Sequence, residues 1–372
     1  MTRDNRNQPP ITLVSVIIPA FNAEATIAAA VESLQRQDFD CWQAVVIDDG
    51  STDRTRQVAE GLAAGDRRVQ VVTQSNQGVA AARNLGLEQA QGKYTLLLDA
   101  DDTLRPGGLA AMVKRAEAAA DNRAGSYGDF VMTDPAGTPL LLQIGRHPVV
   151  TIRELLTSVF FAVHAVLTPT ALARQVPFDR NLRVIEDTDW FLKLGQLGCS
   201  WHRTETVVAN YCIRPQSRSG DFRKMLDCTR AVYAAAYARH GRTDDAALDT
   251  LLAKAAVSYA TRQFVRARLT GGDAGPALAL LPGIAADMRK SETPPLPGAV
   301  LGHLSAAACA MGGCRAVSLD QQVTGPLAAW WGLVCGATIA VPTGAHEAAA
   351  AFAGRVHTLQ QWISSEADLS KH

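Results

Sequence analysis

An alternation of short apolar runs with helical stretches between residues 12 and 98 is the feature that most constrains how this chain folds. The stretches 25–35, 53–63 and 78–90 carry apolar or Ala positions at helical spacing, each with a polar residue available to cap its start. The β-rich apolar runs that separate or flank them are 14–18, 44–47, 69–72 and 95–98. Strands alternating with helices predict a parallel sheet with right-handed crossovers, and nearly all-apolar strands indicate helices on both faces. The pattern therefore predicts an α/β layered fold.

Beyond residue 106 the pattern is less regular and suggests a second half of the same domain. It predicts a helix to about residue 120, a helix over 152–160 and a helix over 187–197. Predicted strands lie near residue 130 and over 140–144, 163–167 and 207–213. From residue 221 onward the chain is Ala-rich and predicted to be mainly α-helical.

These patterns define the expected domain limits. Residues 1–10 are polar and without an apolar segment, so we expect a flexible leader rather than a secretion signal. Residues 11–220 form the α/β domain, divided into halves at 105/106, and residues 221–372 form the helical region. An uncharged apolar run at 321–345 contains several Gly and Pro residues, which favours an interfacial or buried helix over a membrane-spanning one.

Charge and cysteine usage exclude several functional classes. Lys plus Arg and Asp plus Glu are both 36 of 372 residues, so no overall basic field draws the chain to nucleic acid. The seven cysteines form no CxxC pair and the histidines form no HExxH group, which argues against a disulfide framework and a zinc site. We expect a cytoplasmic protein, with peripheral association at the inner face of the membrane as an option because of the apolar run.

In a parallel α/β sheet, ligands bind outside the carboxyl ends of the strands. The unusual polar residues follow the first, second and fourth apolar runs, at 19–22, 48–51 and 99–102. Asp99, Asp101 and Asp102 are three carboxylates within four residues, which suits Mg²⁺ or Mn²⁺ bridged to substrate phosphates. The alternative is a solvated loop in which Asp102 caps the next helix.

The segment 48–53 also permits two interpretations. An Asp at this position can accept a hydrogen bond from a nucleobase N–H or a ribose hydroxyl, whereas Asp-Gly-Ser is also a common turn sequence. The chain contains neither GxGxxG after the first strand nor GxxxxGK[ST], so it lacks a dinucleotide fingerprint and a Walker loop. Diphosphate binding therefore has to rely on a metal.

Four motifs in order, at 14–22, 45–53, 76–84 and 92–102, resemble glycosyltransferase family 2, a family of inverting enzymes with the GT-A fold. The resemblance covers about residues 12–220. It implies a Rossmann-like, mostly parallel sheet flanked by helices, a nucleotide-sugar in the first half and an acceptor in the second. It also implies a divalent cation, Mn²⁺ or Mg²⁺, at a DxD motif.

Carried over to this sequence, the resemblance assigns roles to individual residues. Pro19 and Phe21 would line the nucleobase, Asp49 would hydrogen-bond to it, and Arg83 would lie near the nucleotide. In the DxD motif, Asp101 would contact the metal directly, while Asp99 or Asp102 would contact ribose or metal-bound water.

The second half carries a Glu-Asp pair, Glu186 and Asp187, that resembles the pair opening a helix in this family. Asp187 is then the general base that deprotonates the acceptor hydroxyl, with Glu186 as its neighbour and substitute. On local sequence alone, Asp187 is equally an N-terminal helix residue. The stretch 211–219 resembles the family's loop over the diphosphate, where Arg214 and Arg218 would pair with phosphate, although a His often found there is absent and a solvated basic loop remains the alternative.

The resulting prediction is an enzyme that moves a sugar from a nucleoside-diphosphate sugar, preferably a UDP-sugar, to a hydroxyl of a glycan or lipid-linked acceptor. Two alternatives remain open at this stage. One is a nucleotidyltransferase that makes the activated sugar, although the sequence lacks the basic Gly-rich loop expected for it. The other is a non-catalytic protein that binds nucleotide or sugar in an assembly complex. His164, lying between apolar residues, is predicted to be buried structure rather than a ligand.

Overall fold

The structure is a computed structural model that describes residues 12–143, 145, 147–157, 162–214, 222–241, 247–248, 251–252 and 255. Backbone contacts divide the chain into two units. The first comprises Met1–Phe130 with Gln143–Tyr211, and the second comprises Val131–Leu142 with Cys212–His372. The predicted apolar run at 321–345 lies outside the described residues.

The first half of the first unit follows the predicted alternation of strands and helices. Four strands, β1 to β4, alternate with three helices, and the bounds in chain order are β1 Val14–Ala20, α1 Ile27–Gln35, β2 Trp42–Asp48, α2 Thr55–Gly65, β3 Val69–Thr73, α3 Val79–Gln89 and β4 Tyr94–Leu97. The pairs β1–β2, β1–β4 and β2–β3 are all parallel. The α/β interpretation of residues 12–98 is thereby confirmed.

Beyond β4 the sheet continues with antiparallel pairs. The further elements are β5 Thr103–Leu104, α4 Gly108–Glu117, β6 Ala124–Thr133, β7 Pro139–Gln143, β8 Val149–Val150, α5 Ile152–Leu155, β9 Val166–Pro169, α6 Thr170–Ala173, α7 Glu186–Gln196, β10 Ser200–Cys212 and α8 Phe222–Arg239. Within the described ranges, ten strands form one sheet in the order β3-β2-β1-β4-β9-β6-β10-β5, with β7 beside β6 and β8 beside β10. The result is a mixed α/β architecture with a central open sheet flanked by helices.

Three boundaries differ from the sequence expectation. The helix predicted over 152–160 ends at Leu155 in the described residues. The strand predicted over 163–167 begins only at Val166, because Val163–Ala165 form a 3₁₀ turn. The last strand begins at Ser200 rather than near 207, because Trp201 pairs with Val150 of β8 and its buried indole N–H donates to the hydroxyl of Thr168. The contacts of Trp201 with Val150 and Thr168 are long-range, so no local sequence pattern indicates them.

The adjacent strands β1 and β2 form a buried part of the core. Val16, Ile17 and Ile18 are fully buried, as is most of β2. Helix α3 lies so close to β1 that a Cβ added to Gly86 would approach Cγ2 of Ile17 to 2.2 Å. Gly86 therefore lets the helix that carries Arg83 pack directly on the sheet.

The sheet order brings the carboxyl ends of β2, β1 and β4 side by side, since the three strands are adjacent and parallel. The loops that carry residues 19–22, 48–53 and 99–102 therefore meet at one edge, as predicted. In the part of the chain that the structure describes, no helix has the length and hydropathy needed to cross a membrane.

Candidate active site at the carboxyl edge of the sheet

The loop after β1 presents an aromatic ring to solvent. Phe21 is 49% exposed, and Pro19 beside it is half-buried. The next residue, Asn22, has a φ of 51°, a conformation that Asn tolerates better than most residues. The N–H of Asn22 donates to Oγ of Ser51 at 3.0 Å, and the N–H of Thr52 donates to Oδ1 of Asn22 at 2.9 Å. These bonds fix the β1 loop against the β2 loop while the Phe21 ring remains available to a flat ligand.

Asp49 organises the loop that leads into α3. Its Oδ1 accepts from Nε2 of Gln74 at 2.6 Å and from the N–H of Gln77 at 2.8 Å, and its Oδ2 accepts from the N–H of Gly78 at 2.8 Å. Gly78 has a φ of 89°, which a residue without Cβ adopts most readily. The buried Asp49 carboxylate thus fixes the start of the helix that carries Arg83.

Asp48 serves the turn after β2. Its Oδ1 accepts from the N–H of Ser51 at 3.2 Å, and its side chain is buried. This is the turn chemistry that the sequence of 48–53 left open. The two neighbouring carboxylates therefore stabilise two different loops at the same edge.

The DxD motif separates into an outer and an inner part. Asp99 and Asp101 are half-buried at the sheet edge. Asp102 is 1% exposed, and its Oδ2 lies 2.7 Å from Nδ1 of His164, which is also buried. The N–H of Asp102 donates to the carbonyl oxygen of Asp99 at 3.0 Å, so the inner pair fixes the turn that carries the outer carboxylates.

The surroundings of His164 explain its charge preference. Burial on its own would lower the pKa of His164, but the carboxylate of Asp102, followed by those of Asp99 and Asp101, outweighs burial and the net shift of the pKa is upward. The imidazole also lies against the rings of Phe130 and Tyr211. His164 is therefore buried, as predicted, although its pairing with Asp102 was not anticipated.

Arg83 connects the two halves of the site. Its Nη2 donates to Oδ1 of Asp99 and its Nη1 donates to Oε1 of Glu186, each at 2.9 Å. The guanidinium is almost completely buried and lies over the ring of Phe178, 5.5 Å from its centre. Burial would lower the pKa of Arg83, but Asp99, Glu186 and then Asp187 raise it further than burial lowers it. Arg83 therefore remains a cation shared by carboxylates that are distant in sequence.

The Glu-Asp pair opens α7, as predicted. Glu186 is the first residue of the helix and is buried, whereas Asp187 is half-buried and its Oδ1 accepts from the N–H of Thr188 at 2.7 Å. The N-terminus of a helix carries a partial positive charge that favours carboxylates. Trp190 anchors the helix, since its indole N–H donates to the carbonyl oxygen of Val176 at 2.7 Å and its ring stacks on Phe178. Asp187 is thereby a carboxylate on a firmly packed helix end.

The two arginines predicted to pair with phosphate follow β10 in the sequence. Arg214 lies two residues after the end of β10, within the second unit of the chain. Arg218 lies outside the described residues. The residues that sequence reasoning missed are Gln74, Gln77 and Phe178, because a Gln or Phe in a loop carries no local signal of its long-range partner.

The donor set at the sheet edge limits which metal could bind. In the described portion of the chain, no three His, Cys, Asp or Glu side chains form a metal cluster. Asp99 and Asp101 supply two carboxylates at the edge, and Asp102 is turned inward to His164. One or two carboxylates completed by substrate phosphates and water are the usual ligands of a Mg²⁺ or Mn²⁺ that arrives with its substrate. The residues present therefore fit such a cation.

Comparisons with known proteins bear on the family and the fold of this chain. The family model for glycosyl transferase family 2 matches residues 15–165. TuaG of Bacillus subtilis, a glycosyltransferase named for teichuronic acid biosynthesis, is 30% identical over 223 residues, which cover 59% of this chain and 87% of TuaG. The GalNAc(5)-diNAcBac-PP-undecaprenol beta-1,3-glucosyltransferase of Campylobacter jejuni is 37% identical over 105 residues, or 28% of this chain and 34% of that enzyme. Three further bacterial relatives are matched over 36%, 31% and 30% of their own length.

Among solved structures, residues 1–349 of S. aureus TarS share the fold with a TM-score of 0.51 at 18% identity, covering 88% of this chain and 93% of that one. The same protein in complex with UDP-GlcNAc aligns with a TM-score of 0.51 at 20% identity, over 80% and 88% of the two chains. The fold and the sequence matches together define a glycosyltransferase of the GT-A type. The chain belongs to glycosyltransferase family 2. Two of the matched relatives are named for teichuronic acid biosynthesis and for an undecaprenol-linked glycan.

Proposed function

We propose that this enzyme transfers a sugar, with inversion and with the help of a divalent cation, from a nucleoside-diphosphate sugar to a hydroxyl of a glycan or lipid-linked acceptor. The observation that carries the proposal is the link through Arg83, which joins Asp99 of the DxD motif to Glu186, the neighbour of Asp187. Donor-side and acceptor-side carboxylates that lie far apart in sequence thereby meet at one edge. Such an arrangement suits a transfer reaction, because donor and acceptor have to be held close together.

Asp187 is proposed as the general base. The acceptor hydroxyl oxygen attacks the anomeric carbon, the bond from that carbon to the diphosphate oxygen breaks, and the hydroxyl proton passes to the Asp187 carboxylate. The attack comes from the side opposite the leaving group, so the configuration inverts in a single displacement. Glu186 is held by Arg83 and supports the helix end on which Asp187 lies.

Asp99 and Asp101 are the residues that would hold Mn²⁺ or Mg²⁺ through the DxD motif. The bound cation would neutralise negative charge on the departing diphosphate. Asp102 has an indirect role, because its pair with His164 and its backbone hydrogen bond to the Asp99 carbonyl fix the turn that carries Asp99 and Asp101. The same turn places two oxygen donors at the edge where the phosphates would lie.

The nucleoside would occupy the loops after β1 and β2. The exposed ring of Phe21, with Pro19 beside it, offers a flat apolar surface for a base. Among the residues that the structure describes, the Asp49 carboxylate accepts three bonds, and a carboxylate has about four acceptor positions, so a base N–H would take the fourth. Arg214 and Arg218 are proposed to pair with the diphosphate, as charge-assisted bonds from Arg to phosphate are among the strongest.

The acceptor class and the place of action also belong to the proposal. The B. subtilis relative is named for teichuronic acid biosynthesis and the C. jejuni relative for an undecaprenol-linked glycan. We propose that this chain likewise extends a polysaccharide or lipid-linked glycan in the cytoplasm, with peripheral contact at the membrane. A donor of the UDP-sugar class is preferred, since TarS binds UDP-GlcNAc.

Release of the nucleotide from a panel of sugar donors tests the proposal. UDP-, GDP- and dTDP-sugars would release a nucleoside diphosphate, and CMP-sugars, which would release CMP, serve as the monophosphate comparison. We expect slow Mn²⁺-dependent hydrolysis of one donor by the wild type, with water in place of the acceptor hydroxyl. This hydrolysis should be lost in Asp101→Ala and also in Asp187→Asn. Asp40→Ala and Asp40→Asn are matched controls, because the Asp40 carboxylate is 89% exposed and contacts Arg68. Turnover of no donor, or full activity in Asp101→Ala and Asp187→Asn, would refute the proposal.

A further inference from the structure

The strongest unexplained feature of the molecule is a buried cation shared between two sequence motifs. Arg83 lies on α3, Asp99 follows β4, and Glu186 begins α7, so three separate elements meet at one guanidinium. The Arg83 side chain is 3% exposed and that of Glu186 is 9% exposed, whereas that of Asp99 is 33% exposed. One end of the pairing therefore faces the donor side of the edge, and the other end is fixed inside the fold.

Charge balance decides what this arrangement can do. Asp99, Glu186 and Asp187 together carry three negative charges, and all three act electrostatically on the single positive charge of Arg83. When a cation approaches Asp99, that carboxylate is shared with a second positive charge and binds Arg83 less strongly. The guanidinium then interacts more strongly with Glu186 and Asp187, because the attraction between charges is large where water is excluded.

We propose that Arg83 is a positioning residue that couples the donor side of the site, through Asp99, to the acceptor side, through Glu186. Donor binding at Asp99 thereby strengthens the hold of Arg83 on the start of α7, where Asp187 lies. This inference rests on the proposed function and adds an order to it, in which the base is fixed in place after the donor has bound. Coupling between sites is reciprocal, so a change at Glu186 alters cation binding at Asp99.

The geometry of the guanidinium explains why this position requires Arg. Two of its nitrogens bind two carboxylates at 2.9 Å simultaneously. The ammonium of Lys is a single point charge on a flexible stem and does not reproduce a planar fork. Arg83→Lys therefore keeps the positive charge but loses the simultaneous hydrogen bonds to Asp99 and Glu186. The variant thus distinguishes coupling between the two carboxylates from mere neutralisation of their charge.

The first measurement is the affinity of the full chain for Mn²⁺ in the presence of UDP, GDP or dTDP, determined by titration calorimetry. In Glu186→Gln, Arg83 loses one anionic partner and interacts more strongly with Asp99. The positive charge of Arg83 then opposes binding of the incoming cation at Asp99. We expect Mn²⁺ affinity to fall roughly tenfold, a size typical of coupling between sites. In the Arg83→Gln background, the same Glu186→Gln change should alter Mn²⁺ affinity by less than about twofold, because the connecting charge is absent.

A matched control is Arg203→Gln, which breaks another partly buried Arg–Asp pair in the same unit. Arg203 donates to both oxygens of Asp129, at 3.1 and 2.7 Å. Arg203→Gln should lower thermal stability and leave Mn²⁺ affinity unchanged. If Arg83→Gln does not fold, Arg83→Lys takes its place in the cycle, and the effect of Glu186→Gln should again be reduced.

A second readout separates positioning from a structural role. Donor hydrolysis, with water in place of the acceptor, is measured at varied donor concentration in the wild type and in each variant. Arg83→Lys should raise KM for the donor and also lower kcat, while Glu186→Gln should do both to a smaller extent. Equal Mn²⁺ affinity in wild type and Glu186→Gln, or an undiminished effect of Glu186→Gln without Arg83, would overturn the coupling.

Failure of the proposed function gives a different result. If the wild type binds none of the three nucleotides with Mn²⁺ and releases nucleoside diphosphate from no donor, the glycosyl transfer proposal fails. The electrostatic link between Asp99 and Glu186 through Arg83, apart from any role in transfer, is then judged by urea unfolding of Asp99→Asn, Glu186→Gln and their double variant, with and without Arg83. Non-additive losses of stability that require Arg83 support the coupling, and additive losses refute it.

Discussion

Replacing Asp49 by Asn tests whether the buried carboxylate holds the loop that leads into α3. The Asn side chain has nearly the same shape, but it presents one oxygen and one NH₂ group instead of two oxygens. The oxygen can still accept from Gln74 and Gln77, while the NH₂ group then faces the N–H of Gly78, donor against donor. One hydrogen bond is lost and two change from charge-assisted to neutral.

The expected loss of stability follows from these three bonds. A buried donor left without an acceptor costs about 1–3 kcal/mol, and hydrogen bonds to charged groups are worth about 1 kcal/mol more than neutral ones. Relief from burying the charge of Asp49 offsets part of this loss, so we expect the free energy of unfolding to fall by about 2–4 kcal/mol.

Urea unfolding followed by circular dichroism measures this change. The midpoint should fall in Asp49→Asn with the slope unchanged, since the surface exposed on unfolding is the same. Asp40→Asn provides the surface control and should unfold as the wild type does, because its carboxylate is 89% exposed. An Asp49→Asn protein that unfolds within about 0.5 kcal/mol of the wild type would show that the three bonds do not stabilise the loop.

Two further predictions concern packing and pH. Gly86→Ala should lower the free energy of unfolding by about 1–3 kcal/mol, because the added Cβ would lie 2.2 Å from Cγ2 of Ile17 and would push α3 off the sheet; an unchanged urea midpoint would contradict this contact. Asp66 binds Arg68 through side-chain hydrogen bonds, which outweigh burial and lower the pKa of Asp66 below its usual 3.8. Its contribution to stability is therefore present above that value and lost as the pH falls through the folded pKa. Arg68→Gln should weaken this acid-side dependence between pH 5 and 2, since the backbone N–H of residue 68 and the Gln35 side chain still donate to Asp66. An identical acid titration of stability in both proteins would refute the prediction.

Local sequence patterns predict much of the first half of the fold. Periodic apolar positions and β-rich runs between residues 12 and 98 predict strands and helices, because each element is set by spacing over a few residues. The carboxyl-edge position of residues 19–22, 48–51 and 99–102 then follows from the parallel order of the strands. The Glu-Asp pair at the start of α7 is indicated by the resemblance to glycosyltransferase family 2, because its local sequence alone is equally that of any helix N-terminus.

Tertiary structure decided how these residues are used. The sequence treats Asp99, Asp101 and Asp102 as one acidic cluster, whereas the fold turns Asp102 inward to His164. It likewise presents Arg83 as a candidate nucleotide contact, and only the fold shows that Arg83 also binds both Asp99 and Glu186, a residue 103 positions away. Local patterns report which residues share a helix or strand. Pairs across such distances exist only after the elements pack, when burial makes an unpaired charge too costly and each carboxylate has to find its cation.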